Sequence, residues 1–183
     1  MIREHEILTS IGIPKKIELL KSEINKQKNK IQLTGLVGSS FALQSSLTIS
    51  DSEFPQIFIL ESKESALYFL NDLESLLKKE VFFFPASNFK NYEEKKYDSN
   101  SSLLRSEVLY KTNHENNSII ITYTDALFEK VVNRNDLKKL TIELKKNDFF
   151  SLDKLQKLLN NLNFNRVDFV AEPGEYSIRG GIV

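Results

Sequence analysis

Residues 56–84 read QIFILESKESALYFLNDLESLLKKEVFFF. An apolar run, an amphipathic stretch and a second apolar run follow one another without a gap. QIFIL (56–60) has the length and continuity of a strand buried on both faces. Ser62 stands where a helix N-cap belongs, since its hydroxyl can accept a free amide of the first turn. Beyond it Ala66, Phe69, Leu70, Leu73 and Leu77 recur on one face of a helix. Lys78 and Lys79 close that stretch, favourable against the negative end of the helix dipole. VFFF (81–84) is a second strand, stopped by Pro85. A strand, a helix and a strand in this order imply a right-handed crossover between parallel strands.

The same alternation extends outward. PKKIELLKSEINKQKNK (14–30) places Ile17, Leu20 and Ile24 at helical spacing, with Pro14 in the first turn. KIQLTGLV (30–37) reads as a strand, and a helix is expected from Ser39 onward. Residues 86–101, ASNFKNYEEKKYDSNS, are polar and aperiodic and read as a long surface loop. Tyr92 and Tyr97 among lysines make it a candidate contact for a partner or a nucleic acid, although a solvated loop is the favoured reading. SLLRSEVLYKT (102–112) is helical, with a stripe of Leu103, Leu104, Val108 and Leu109. SIIITY (118–123) is another buried strand. The expected fold is α/β over residues 1–136: a parallel sheet with helices on both faces, of the P-loop or RecA-like kind.

After about residue 135 the pattern changes. KLTIELKKN (139–147) alternates apolar and polar positions, as a half-exposed strand does. Ser151 is placed to cap a helix, LDKLQKLLNNLNF, with Leu152, Leu155, Leu159 and Leu162 along one side. RVDFVAEPGEYSIRGGIV (166–183) reads as two strands around the turn EPGE, where Pro173 presets the backbone and Gly174 tolerates positive φ. Residues 137–183 are therefore expected to begin a second, smaller α+β domain. The sequence stops at Val183 with a strand in progress, so it reads as a piece of a longer protein.

Composition narrows the function classes. Of 183 residues, 40% are apolar, which suffices for a packed core, and the thirteen Phe are first of all core material. Lys+Arg and Asp+Glu each total 25, giving no net charge. Dedicated nucleic-acid domains carry a basic excess, so a purely electrostatic role of that kind is disfavoured. There is no cysteine, which removes disulfides and thiolate metal sites. The only histidines, His5 and His114, lie far apart in polar surroundings and read as solvated side chains rather than metal ligands. The N-terminal MIREHEILTS lacks the apolar core of a signal peptide, and no run reaches transmembrane length. A cytoplasmic location is the expectation.

Strand, glycine turn and helix at 33–47 have the layout of a phosphate-binding loop. A working loop reads G-x-x-x-x-G-K-[ST]: the glycines let backbone amides converge on phosphate, the Lys reaches the β- and γ-phosphates, and the hydroxyl binds Mg²⁺. Here the run is Gly35-Leu36-Val37-Gly38-Ser39-Ser40-Phe41-Ala42. Ser40 stands at the last Gly, Phe41 at the Lys and Ala42 at the metal hydroxyl. No Gly-Lys pair occurs anywhere in the chain. The partner carboxylates are also missing, because SIIITY ends in Thr122 and Tyr123, and Asp125 reads as the cap of the short helix ALFEKVV. Weak anion binding at a helix N-terminus remains open. The loop is read as degenerate, and the chain as non-catalytic, with neither cofactor nor metal.

The terminal stretch EPGEYSIRGGIV (172–183) resembles the GxYSxRGGIVDIF signature of UvrB and of the N-terminal module of bacterial transcription-repair coupling factors (Mfd). GLVGSS falls where UvrB keeps its ATP loop, and VFFFPASNFKNYEEKKYD followed by LLRSEVL looks like the coupling-factor sequence. The resemblance spans about Leu33 to Val183. UvrB needs an intact ATP site, whereas the coupling-factor module typically lacks one, so Ser40, Phe41 and Ala42 favour the second. A UvrB-like or helicase-like ATPase is the alternative. The resemblance implies a full-length ATP-dependent DNA translocase that displaces stalled RNA polymerase and recruits excision repair, with ATP and Mg²⁺ at motor domains further along. It implies that this module binds UvrA, and that the Arg of the signature, here Arg179, takes part. Tyr176 is a second candidate contact, with packing the likelier role. A surface Arg179 paired with Glu175 or Glu172 is the plain alternative. Gly180 and Gly181 read as backbone-conformation positions.

Overall fold

The apolar runs at 56–60, 81–84 and 119–123 become the strands of one parallel sheet. The computed structural model describes residues 13–26, 30–50, 52, 54–77, 79–87, 99–145 and 151–183. In chain order, α1 (Ile13–Asn25) and α2 (Ser40–Ile49) precede β1 (Gln56–Leu60), α3 (Lys63–Leu76) and β2 (Val81–Phe84). Then come α4 (Ser99–His114), β3 (Ile119–Tyr123), α5 (Thr124–Leu127) and α6 (Arg134–Leu140). The last elements are α7 (Leu152–Asn161), β4 (Asn165–Arg166) and β5 (Glu175–Tyr176).

The sheet order is β1-β3-β2, with both outer strands parallel to β3. Ile57 and Phe82 both face Ile120 in register. All five residues of β3 are buried, as its central place requires. On one face Val81, Ile119, Ile121 and Tyr123 pack with Ala42 and Ile49 of α2 and with Ala66, Phe69 and Leu73 of α3. On the other, Phe82 and Ile120 meet Val108 of α4. The chain is thus mixed α/β, with helices on both faces of a small parallel sheet. Ser62 caps α3 as expected, its hydroxyl accepting from the Ser65 amide.

Several expectations are corrected. Residues 30–37 form no strand: Ile31, Leu33 and Val37 are exposed and no ladder bonds join them to the sheet. A strand needs a neighbour, and among the described residues the segment has none. Nor do residues 139–145 form a strand. Asn133 caps α6 through the Asn135 and Asp136 amides, and that helix takes up Lys139 and Leu140, while 146 and 147 lie outside the described residues.

Helix α4 starts at Ser99, and its buried face is Ser101, Arg105 and Val108, while Leu103 and Leu104 are exposed. The stripe is shifted because Arg105 goes inward. Its Nη1 donates to the Pro85 carbonyl at 2.7 Å and lies 3.1 Å from Glu129, and its guanidinium stacks on Phe84. The Glu129 carboxylate in turn accepts the Ser87 amide. Helix α3 ends at Leu76, so Lys79 lies beyond its last turn; Lys78 is outside the described residues. Asp125 sits in the first turn of α5, and Tyr123 holds the N-cap position. Residues 88–98, with Tyr92 and Tyr97, and His5 lie outside the described residues. His114 is exposed and its ring stacks on Tyr110.

At the C-terminal end Ser151 caps α7 through the Lys154 amide. Leu155, Leu159 and Leu162 are its less exposed side. The two strands around the turn are two residues each and run parallel, not as a hairpin. The turn 172–175 has Gly174 at φ +92. The antiparallel contact lies later, where Arg179 and Ile182 bridge across Gly180 and Gly181.

Candidate functional site

The loop at 35–42 leads into α2 as a phosphate loop leads into its helix, but no strand precedes it among the described residues. Gly35 and Gly38 have φ of +80 and +55, which glycine adopts at little cost. A Cβ at either would meet nothing within 4 Å, so backbone angle rather than close approach calls for glycine. The Val37 amide donates to the Ser40 hydroxyl at 2.7 Å, and the Ser40 amide donates back to the Val37 carbonyl at 3.2 Å. The loop thereby closes on itself an amide that a phosphate loop would offer to its ligand.

Phe41 packs into the core. Its ring stacks on Phe69 at 4.7 Å and meets Phe58 edge-on at 6.2 Å. Ala42 is buried at 1% exposure. The recess beside the loop, about 330 Å³, is lined by apolar side chains together with Gln44, Ser45, Thr48 and Gln56, and by no Lys or Arg. At the two loop positions Phe41 and Ala42 offer a triphosphate neither a cation nor a metal hydroxyl, so the loop does not fit ATP and Mg²⁺. Among the described residues no cluster of His, Cys, Asp or Glu is arranged to hold a metal. No helix among them is long and apolar enough to cross a membrane.

The second candidate lies on the terminal motif. Tyr176 is buried at 5% exposure, and its hydroxyl donates to Asn160 Oδ1 at 2.7 Å, tying β5 to the end of α7. The Glu175 carboxylate accepts the Ala171 and Glu172 amides at 2.9 and 3.0 Å. Those two bonds, Ala171 first, hold its carboxyl below the usual glutamate range. Glu175 is therefore engaged in the turn and forms no ion pair with Arg179. Arg179 is exposed; its Nη2 donates to the Asp168 carbonyl at 2.8 Å and its guanidinium lies 4.1 Å over the Phe169 ring. Phe169, Val170 and Ile182 are exposed beside it, Phe169 at 76%. Together they flank a shallow cleft of about 370 Å³.

The motif residues are thus divided by the fold: Tyr176 supports from beneath, and Arg179 faces out. Sequence reasoning missed Phe169 and Asn160. The exposed DFV run before the turn was the available signal for the first; nothing local marked the second.

Fold and sites define a mixed α/β chain with a glycine turn leading into α2 and an outward arginine at a terminal turn. No protein-family model matches it. It is 29% identical over 154 residues to the transcription-repair-coupling factor of Rickettsia bellii, covering 79% of this chain and 13% of that protein. It is 28% identical over 127 residues to that of Rickettsia conorii, and 31% over 126 residues to that of Rickettsia typhi. Those matches cover 68% and 62% of this chain and 11% of each relative. The chain is therefore similar to transcription-repair coupling factors, the family its terminal motif resembles, and spans only about an eighth or less of their length.

Proposed function

We propose that the chain is the N-terminal, UvrA-recruiting module of a transcription-repair coupling factor and performs no catalysis itself. In this reading residues 1–136 are a degenerate RecA-like unit, and 137–183 begin the small domain that meets UvrA. The observation that carries the docking role is Arg179, fixed by Phe169 and Asp168 yet exposed on the terminal motif that carries the resemblance. Tyr176 serves this surface by holding β5 against α7. The packing of Phe41 and Ala42 supports the absence of ATP hydrolysis. The whole protein is proposed to be a cytoplasmic ATP-dependent DNA translocase that displaces stalled RNA polymerase in transcription-coupled repair. Its ATP and Mg²⁺ would be held at motor domains outside this chain.

Arg179→Glu should abolish UvrA binding in a titration calorimeter while circular dichroism and melting stay unchanged. Undiminished UvrA affinity in that variant would remove the assignment.

A further inference from the structure

The proposed docking role leaves the chemistry of the partner surface undefined, and the surroundings of Arg179 narrow it. A guanidinium carries five N–H donors in a rigid plane. Here one is engaged by the Asp168 carbonyl, and one flat face of the group lies on the Phe169 ring. Among the described residues no carboxylate pairs with it, and Glu175 is bound to the turn amides. What remains open is the edge of the fork, the part that grips a carboxylate through two parallel hydrogen bonds. The stack fixes that edge before any partner arrives, so less side-chain freedom is lost on binding. The exposed flank of Phe169, Val170 and Ile182 is apolar. A partner that covers it excludes water from the arginine, and a charge pair strengthens when dried.

We infer that Phe169 and Arg179 act as one composite contact, whose partner is a protein carboxylate set between apolar side chains. This rests on the docking reading above and specifies its chemistry. A nucleic-acid backbone fits less well. It would bring a row of phosphates against Asp168, Glu172 and Glu175, and it has no apolar groups for Phe169 and Ile182. Phe169 is a positioning residue for the guanidinium as well as a contact.

The experiment has two arms. In the first, the whole chain is titrated with the blocked peptide acetyl-Leu-Glu-Leu-amide, with its Gln analogue and with duplex DNA, following the Arg179 side-chain Nε–Hε signal by NMR. The Glu peptide should move that signal and the Gln peptide should not, and Phe169→Ala should remove the response. The free signal should also lose its ring-current shift in Phe169→Ala. An equal response to the Gln peptide, a stronger one to DNA, or an unaltered Phe169→Ala overturns the inference. In the second arm, UvrA affinity is measured for Phe169→Ala, Arg179→Ala and the double variant. Each single change should weaken it by about tenfold, and the double change little further, since the two act together. Losses that simply multiply would refute the composite. Failure of the unaltered chain to bind UvrA would sink the recruiting role, while the peptide arm still decides the carboxylate chemistry. Phe169 is exposed, so its truncation leaves the fold in place.

Discussion

Glu175 shows how one half-buried side chain can hold a turn in shape. Its carboxylate accepts two successive amides of the turn before β5, and only the charged form does this well. Its folded-state pKa is lowered below 4.5, so its stabilisation is present above 4.5 and is lost as pH falls through the lower folded value. The Ala171 and Glu172 amide signals should therefore titrate together with an inflection below 4.5, and Glu175→Gln should flatten both curves. An inflection at or above that value would show that the turn does not depend on the charge. Arg179 stands out in its motif, but its surroundings do not show in the sequence. Phe169 reaches the guanidinium only because the turn folds the chain back, and spacing alone does not reveal that. Arg105 was hidden for a different reason: a charged residue on a buried face contradicts binary patterning. It stays there because Glu129, Pro85 and Phe84 together satisfy its head group.

At the scale of elements, the loop and α2 are committed to the core. Placing Lys at 41 and Thr at 42 would restore two letters of a phosphate loop. It would also break the Phe41–Phe69 stack and push extra atoms into a site that is 1% exposed. The double variant should lose about 1–3 kcal/mol of stability, read by urea denaturation, and show no ATP turnover. Measurable turnover would mean that the remaining site was intact after all. Elements were legible where burial was strong. QIFIL, VFFF and SIIITY declared themselves as strands, because continuous apolar runs bounded by turn signals have few other homes. KIQLTGLV and KLTIELKKN were weaker signals. Each has strand propensity, but propensity does not supply a neighbour, and a good N-cap at Asn133 starts a helix that takes up the first two residues of the second.

For the whole molecule, the larger of the two core clusters spans α2, α3 and one face of the sheet. Leu73 has no exposure and lies within that cluster. Leu73→Ala should cost about 2–5 kcal/mol, lowering the thermal midpoint of the entire sheet unit in a single transition. A separate early melting of α3 alone would contradict a shared core. The α/β architecture followed from the sequence because alternating strands and helices leave few topologies. The order β1-β3-β2 did not, since apolar runs of equal strength do not say which of them lies in the centre.

That order has a consequence for the growing chain. Among the described residues β1 and β2 do not pair with each other; each pairs with β3, which is made after both. On the ribosome the QIFIL and VFFF segments must therefore wait for SIIITY before either can close a ladder. For β1 the delay is about sixty residues of synthesis, roughly 3–12 s at about 5–20 residues per second. Through that interval two short, uncharged, β-prone segments are without a partner strand, and they are the sort that self-associate. The order of strands in the finished sheet thus sets a period of vulnerability during translation, and β3 ends it.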